Sequence, residues 1–358
     1  MSSTDPSILD HLDAQALQRY PDYERGRPPR LLRLHEHDYL DEYEKIWGRR
    51  WGAMGLGRLR SVGLIRPDPA WEGHPFFQND PDFFLLRYRR SLDPDLMLRS
   101  HEEYVRLLTS LGVKIEWMEF ENPIGAYGPM RKLFMAEEVK VVRGGAILPR
   151  FGHASYKRGL EREFQKFLTR IGCPILLTVH GSGIFEVAPM LVQMADDAWI
   201  AGLSCAANQE GLDQVLPVLR RAGVTDINVA QLTTIMDSFD AGGEFHVDMI
   251  VHAVAERVAV VYPRQLPWET YRWLKGLEFT LIEVPTEEHH RFVPANLVVV
   301  EPGVVIMPGE ARVTVKALEA AGVKVIGFDS SGIMQGGTNG IKCITMELDR
   351  DDGPRLHA

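Results

Sequence analysis

Three cysteines in 358 residues, Cys173, Cys205 and Cys343, are too few for a disulfide framework, and their spacing matches no zinc-binding pattern. They read as reduced thiols of a cytoplasmic protein. No run approaches ~18 consecutive apolar residues, which excludes a spanning helix. The opening Met1-Ser2-Ser3-Thr4-Asp5-Pro6 lacks the basic and then apolar pattern of a secretory signal. An excess of positive charge is missing too: 40 Lys and Arg face 49 Asp and Glu, for a net charge of −9, which argues against nucleic acid or an anionic membrane as the main partner. Gly181-Ser182-Gly183 lacks a third glycine at the dinucleotide-binding spacing and opens no clear helix, so a Rossmann site is not expected.

What is present is ample core material, 45% apolar residues with 25% charged, and an internal repeat. Residues 1–55 stand apart as a charged and aromatic segment, with an amphipathic helix predicted over 38–51; it is expected to pack on the main domain or on a partner subunit, so a homo-oligomer is compatible with it. From residue 56 a helical stretch repeatedly ends at glycine and a short strand follows, around Gly112, Gly172, Gly223 and Gly322, and more weakly around Gly276. Glycine suits the left-handed backbone that closes a helix. Paired apolar runs with short turns lie between these copies, over 139–148, 250–261 and 297–306, and read as hairpins. The unit is therefore strand, strand, helix, strand, used about five times at ~45–60 residues, a repeat architecture that a closed ring would leave without exposed edges. The first strand, 61–65, and the last, 344–348, have no partner within a unit, and pairing them would close the ring. The expected domain occupies 56–350, with a tail over 351–358.

Three places carry candidate chemistry. His246 and Asp248 follow a Gly242-Gly243 turn, and strand alternation would set them on one face. Cys343 ends a loop with Gly336, Gly337 and Gly340, where the backbone can approach a ligand, and Lys342 beside it, with any nearby charged His, would lower the thiol pKa. Cys173 reads as a core residue, and Cys205 sits at a strand end. Glu186 is a carboxylate among apolar neighbours, so it needs a partner or a raised pKa.

Taken in order along a five-unit repeat, these segments resemble the guanidino-group-modifying superfamily, which includes arginine deiminases, dimethylarginine dimethylaminohydrolases and amidinotransferases. Residues 57–67 resemble the opening strand, Phe185-Glu186 with Ala201-Gly202-Leu203-Ser204 the acidic motif and the strand after it, Phe245-His246-Val247-Asp248 the His-x-Asp motif, and 336–343 the loop that delivers the nucleophile. The resemblance covers 56–350 and implies an α/β fold, a five-bladed α/β propeller of ββαβ units around a central channel. It implies Cys343, His246 and Glu186 as catalytic residues, with Asp248, Asn339, Arg131 and Lys132 as substrate contacts, a small guanidino compound as partner, and no metal or organic cofactor. Cys343 would attack the guanidino carbon, His246 would protonate the leaving amine and then activate water or an amine, and Glu186 would hold the cation. Asp248 would fix the His246 tautomer or add a second anionic contact. The chain departs from the family pattern at three places. Val187-Ala188-Pro189 follows the first acid where a second acid is usual. Arg131 and Lys132 stand where a guanidinium-gripping Asp is usual, and Ala206 where a carboxylate-gripping Arg is usual. Hydrolysis of a C–N bond is the expected reaction, because water needs no acceptor site, with amidinotransferase and non-catalytic binding protein as the alternatives, and free arginine is an unexpected substrate.

Overall fold

Apolar strand pairs, each followed by a helix and a third strand, build five three-stranded sheets in the computed structural model, which describes residues 49–67, 93–119, 136–152, 157, 159–232, 245–333 and 340–357. The body comprises Trp51–Ala358. Strand β1 (Leu59–Ile65) is followed by helix Pro94–Ser110 and β2 (Lys114–Met118). The second unit is β3 (Lys140–Val142), β4 (Gly145–Leu148), helix Leu160–Ile171 and β5 (Ile175–Thr178). The third is β6 (Leu191–Gln193), β7 (Ala198–Leu203), helix Gln209–Arg221 and β8 (Asp226–Gln231). The fourth is β9 (Val251–Ala255), β10 (Val258–Val261), helix Trp268–Gly276 and β11 (Thr280–Glu283). The fifth is β12 (Val298–Glu301), β13 (Val304–Pro308), helix Arg312–Ala320 and β14 (Lys324–Phe328), and β15 (Met346–Arg350) ends the series. In the second to fifth units the hairpin partner is antiparallel and the strand reached through the helix is parallel, as a crossover connection requires.

The expected closure is present. β15 pairs antiparallel with β1, Gly63 opposite Met346, and supplies the strand that the first unit lacks. The central strands are buried on both faces, which is why β10 and β13 read as unbroken apolar runs rather than alternating ones. The helix faces that pack on them follow the helical period: Leu160, Phe164, Phe167 and Leu168 are buried from helix Leu160–Ile171. Glycine closes four of the units as expected, with φ of 81° at Gly112, 75° at Gly172, 103° at Gly223 and 81° at Gly322. The Gly276 copy differs. Gly276 is the last residue of its helix, and Glu278 takes the left-handed conformation with φ 62°.

The innermost strands of the five sheets meet around a buried polar network. Lys140 on β3 donates to Gln193 on β6 (2.5 Å), and Gln193 donates to Glu347 on β15 (3.0 Å). Arg350 donates to Glu347 at 2.7 Å and, across to β12, to the Val299 carbonyl at 2.6 Å. Burial alone would raise Glu347, but Arg350, then Lys140 and Lys342, hold its carboxyl far below the usual range. The same burial lowers Lys140 to about 8 and His252 of β9 to about 4. Trp51 is buried, its indole donating to the Gly172 carbonyl (3.1 Å), and Ala53 bonds the Val141 carbonyl (3.0 Å), so the segment just before residue 56 packs into the body. The tail folds back as well: Gly353 donates to Asp196 (2.9 Å) and Leu356 to Asp197 (2.9 Å).

Candidate active site

Cys343 lies in a 3-10 turn, Lys342–Ile344, just before β15. Two side chains fix that turn from outside. Tyr104, buried in helix Pro94–Ser110, pairs its hydroxyl with Thr345 (2.7 Å), and Thr345 donates to the Ile341 carbonyl (2.9 Å). Asn296, fully buried, accepts from the backbone N–H of Lys342 (3.1 Å) and of Cys343 (3.3 Å) and from the thiol (3.5 Å), while its amide donates to Asp248 (2.7 Å). Gly340 is required beside it, because a Cβ there would stand 2.2 Å from the Asn296 oxygen.

Lys342 lowers the Cys343 thiol pKa, as expected, but larger effects outweigh it. Burial, then the Asp248 carboxylate, push the Cys343 thiol up to about 12, and Lys342 offsets only part of this. Its ammonium is spent on anions: it bonds Glu137 and stands 3.8 Å from Asp248. Ligand atoms of Glu137, Asp248 and Cys343 lie within 4.8 Å of one another, a set that could hold a metal ion, and the Lys342 ammonium already serves as the cation there.

His246 and Asp248 are close in space but not on a strand. Val247–Met249 is a 3-10 turn with His246 at its start, and β9 begins only at Val251. The reason is local hydrogen bonding: Ile250 N–H returns to the Val247 carbonyl (3.0 Å), and Asp248 N–H bonds the Pro189 carbonyl (3.2 Å). Pro189, one of the departures from the family pattern, thus anchors this turn. Glu186 is completely buried and has the partner its surroundings demand: its Oε2 pairs with His246 Nε2 (3.0 Å) and with Lys157 Nζ (2.6 Å). Lys157 also bonds Glu138 (2.5 Å). Glu186 N–H bonds the carbonyl of Ala206, another departure, at 3.0 Å.

Two clusters therefore form, one around Cys343, Asp248, Lys342 and Glu137, the other around Glu186, His246, Lys157 and Glu138. Adjacent glutamates of one 3-10 turn, Ala136–Glu138, belong to one each and join them. Sequence reasoning did not single out Glu137, Glu138, Lys157 or Asn296. The available signal was an acidic pair directly before the 139–148 hairpin; Lys157 and Asn296 carried none. Arg131, Lys132 and Asn339 lie outside the described residues. Cys173 is in the core, and Cys205 is partly buried. A cleft lined by Arg150, Phe151, Gly152, Gly181 and Ile184 adjoins the second cluster, the Phe151 ring lying 5.5 Å from Lys157 Nζ.

Comparison with known proteins agrees with this fold. The family model for arginine deiminase matches residues 217–350. A 2-nitroimidazole nitrohydrolase from Mycobacterium sp. (strain JS330) is 28% identical over 336 residues, 90% of this chain and 88% of the relative. Among solved structures, a dimethylarginine dimethylaminohydrolase variant from Pseudomonas aeruginosa, complexed with citrulline, is 20% identical with a TM-score of 0.61, covering 81% of this chain and 99% of that one. The N-terminal domain of ArgZ, covalently bound to a reaction intermediate, is 16% identical with a TM-score of 0.63 over 80% and 96%. SxtG, an amidinotransferase from Microseira wollei, is 13% identical with a TM-score of 0.60 over 86% and 98%. These structures share the fold, five repeated α/β units, and the arginine deiminase match over residues 217–350 is in keeping with the resemblance to the guanidino-group-modifying superfamily.

Proposed function

We propose that this protein is a cysteine-dependent hydrolase that breaks a bond to an amidine-type carbon, one flanked by two nitrogens, in a small molecule. The observation that carries the reading is the joining, through Glu137 and Glu138, of the buried Cys343 turn to the His246–Glu186 pair. Cys343 attacks the electron-poor carbon and the leaving group departs, giving a covalent thioether; water then releases the product and restores the thiol. Because burial keeps the resting thiol protonated, its proton leaves as the substrate engages. His246 serves as general acid toward the leaving group and then as general base toward water. Glu186, at hydrogen-bond distance from His246 Nε2, orients the ring and stabilises its charged form. Asp248 acts through Asn296 on the nucleophile's turn. The curated relative's named substrate, a 2-nitroimidazole, has such a carbon between its two ring nitrogens. This supports a class wider than arginine.

The test is a panel of guanidines, amidines and 2-substituted imidazoles, with and without an acceptor amine, read by mass spectrometry. Cys343→Ser should abolish turnover while the fold persists, and the wild-type protein quenched in turnover should carry its adduct on Cys343. A Ser variant with near-wild-type activity would remove Cys343 from the mechanism.

A further inference from the structure

Carboxylates that could grip a substrate cation are already occupied by a cation of the protein's own. Lys157 is buried, and its ammonium lies 2.5 Å from Glu138 and 2.6 Å from Glu186. The same Glu186 oxygen also meets His246 Nε2 at 3.0 Å. In the neighbouring cluster Lys342 plays the same part for Glu137. A guanidinium entering beside Glu186 must displace Lys157 or sit against it, and at such separations like charges repel strongly in a buried site. The ammonium is equally placed to attract negative charge that develops on a departing group.

We propose that Lys157 is a specificity-determining residue that sets this site for neutral amidine-type substrates whose leaving group departs as an anion, in preference to guanidinium cations. The proposal rests on the reading that Cys343, His246 and Glu186 line one site. A 2-nitro-substituted imidazole illustrates the balance. The Cys343 sulfur forms a bond to C2, the C2–N bond to the nitro group breaks with its electron pair, and nitrite leaves while the thiol proton passes to solvent. Water then adds at C2, the C2–S bond breaks, and the cysteine regains its proton. The sum is nitroimidazole plus water giving the hydroxylated (oxo) ring, nitrite and a proton, with no external oxidant or reductant.

The experiment compares kcat/KM for nitrite release from 2-nitroimidazole with that for ammonia release from methylguanidine, in the wild-type protein, Lys157→Met and Lys157→Arg. The wild type should favour the nitro compound. Lys157→Met should shift the ratio at least about tenfold toward methylguanidine, the scale of removing one cation at contact distance, and Lys157→Arg should keep the wild-type order. A merely structural lysine would lower both rates and leave their ratio alone, so a ratio within about threefold of wild type in a folded Lys157→Met protein overturns the proposal. Should that variant fail to fold by circular dichroism, the wild-type order decides. Ammonia release equal to or above nitrite release overturns the proposal, and the reverse order supports it. Failure of the underlying reading shows separately, as turnover of either compound that survives Cys343→Ser.

Discussion

Removing the Asn296 carboxamide withdraws a side chain that holds the Cys343 turn and the Asp248 carboxylate together. In Asn296→Ala, two backbone N–H groups, those of Lys342 and Cys343, lose their acceptor inside the protein, and Asp248 loses a 2.7 Å donor. A hydrogen bond to a charged group contributes about 1.5–3 kcal/mol, and a buried group left unsatisfied costs about 1–3 kcal/mol. The two N–H bonds are long, so the lower end applies to them, and the total is on the order of 3–5 kcal/mol. That is a large share of the ~5–15 kcal/mol by which a domain is stable. Two measurements follow. The urea midpoint should fall with an unchanged slope. Iodoacetamide should label Cys343 faster relative to Cys173, because the turn that buries the thiol is loosened. Asn296→Asp keeps an acceptor for both N–H groups but sets two carboxylates at hydrogen-bond distance, so its loss of stability should shrink as pH falls and one of them takes a proton. An Asn296→Ala protein within about 1 kcal/mol of wild type, with unchanged Cys343 labelling, would refute the clamp.

Three further outcomes can be checked on the same protein. His246→Ala should lower kcat by ~10²–10⁴ at unchanged circular dichroism, the usual contribution of a general acid and base; loss of folded protein would mark His246 as structural. Arg350→Met leaves Glu347 buried without its closest cation and should destabilise by about 3–5 kcal/mol in chemical unfolding; an unchanged midpoint would show that the central network is dispensable. Burial holds both His101 and His252 down to about 4, from the ordinary 6.5. The unfolded chain therefore binds more protons than the folded one between these values, and stability present above pH 6.5 is lost as pH falls toward 4, by up to about 3 kcal/mol for each histidine. A melting temperature flat from pH 7 to 4.5 would contradict that.

The parts of this protein that were legible in the sequence are those written in short-range signals. Hairpins at 139–148, 250–261 and 297–306 are fixed by turn residues between apolar runs, and four helix ends by glycines with positive φ. Closure by β15 followed from a count of unpaired strands. The His246–Asp248 segment was misread because alternation alone cannot tell a strand from a tight turn held by a distant carbonyl, here that of Pro189. Lys157 and Asn296 carried no signal because each acquires meaning only from a partner far along the chain, Glu186 and Cys343 respectively. The thiol's high pKa was hidden for a related reason: burial, then the Asp248 carboxylate far along the chain, raise it, and these outweigh the adjacent Lys342.

The pairing of β15 with β1 also has a consequence for synthesis. Strand Leu59–Ile65 leaves the ribosome well before its partner Met346–Arg350. At ~5–20 residues per second, the first strand waits roughly 15–60 s for the segment that completes its sheet. Cys343 lies directly before that partner strand, so the candidate nucleophile and the keystone of the fold emerge within seconds of each other. A nascent chain stalled or clipped before residue 340 has neither, and on the proposed mechanism is inactive. On that mechanism, activity in a cell extract would count only chains translated past Arg350.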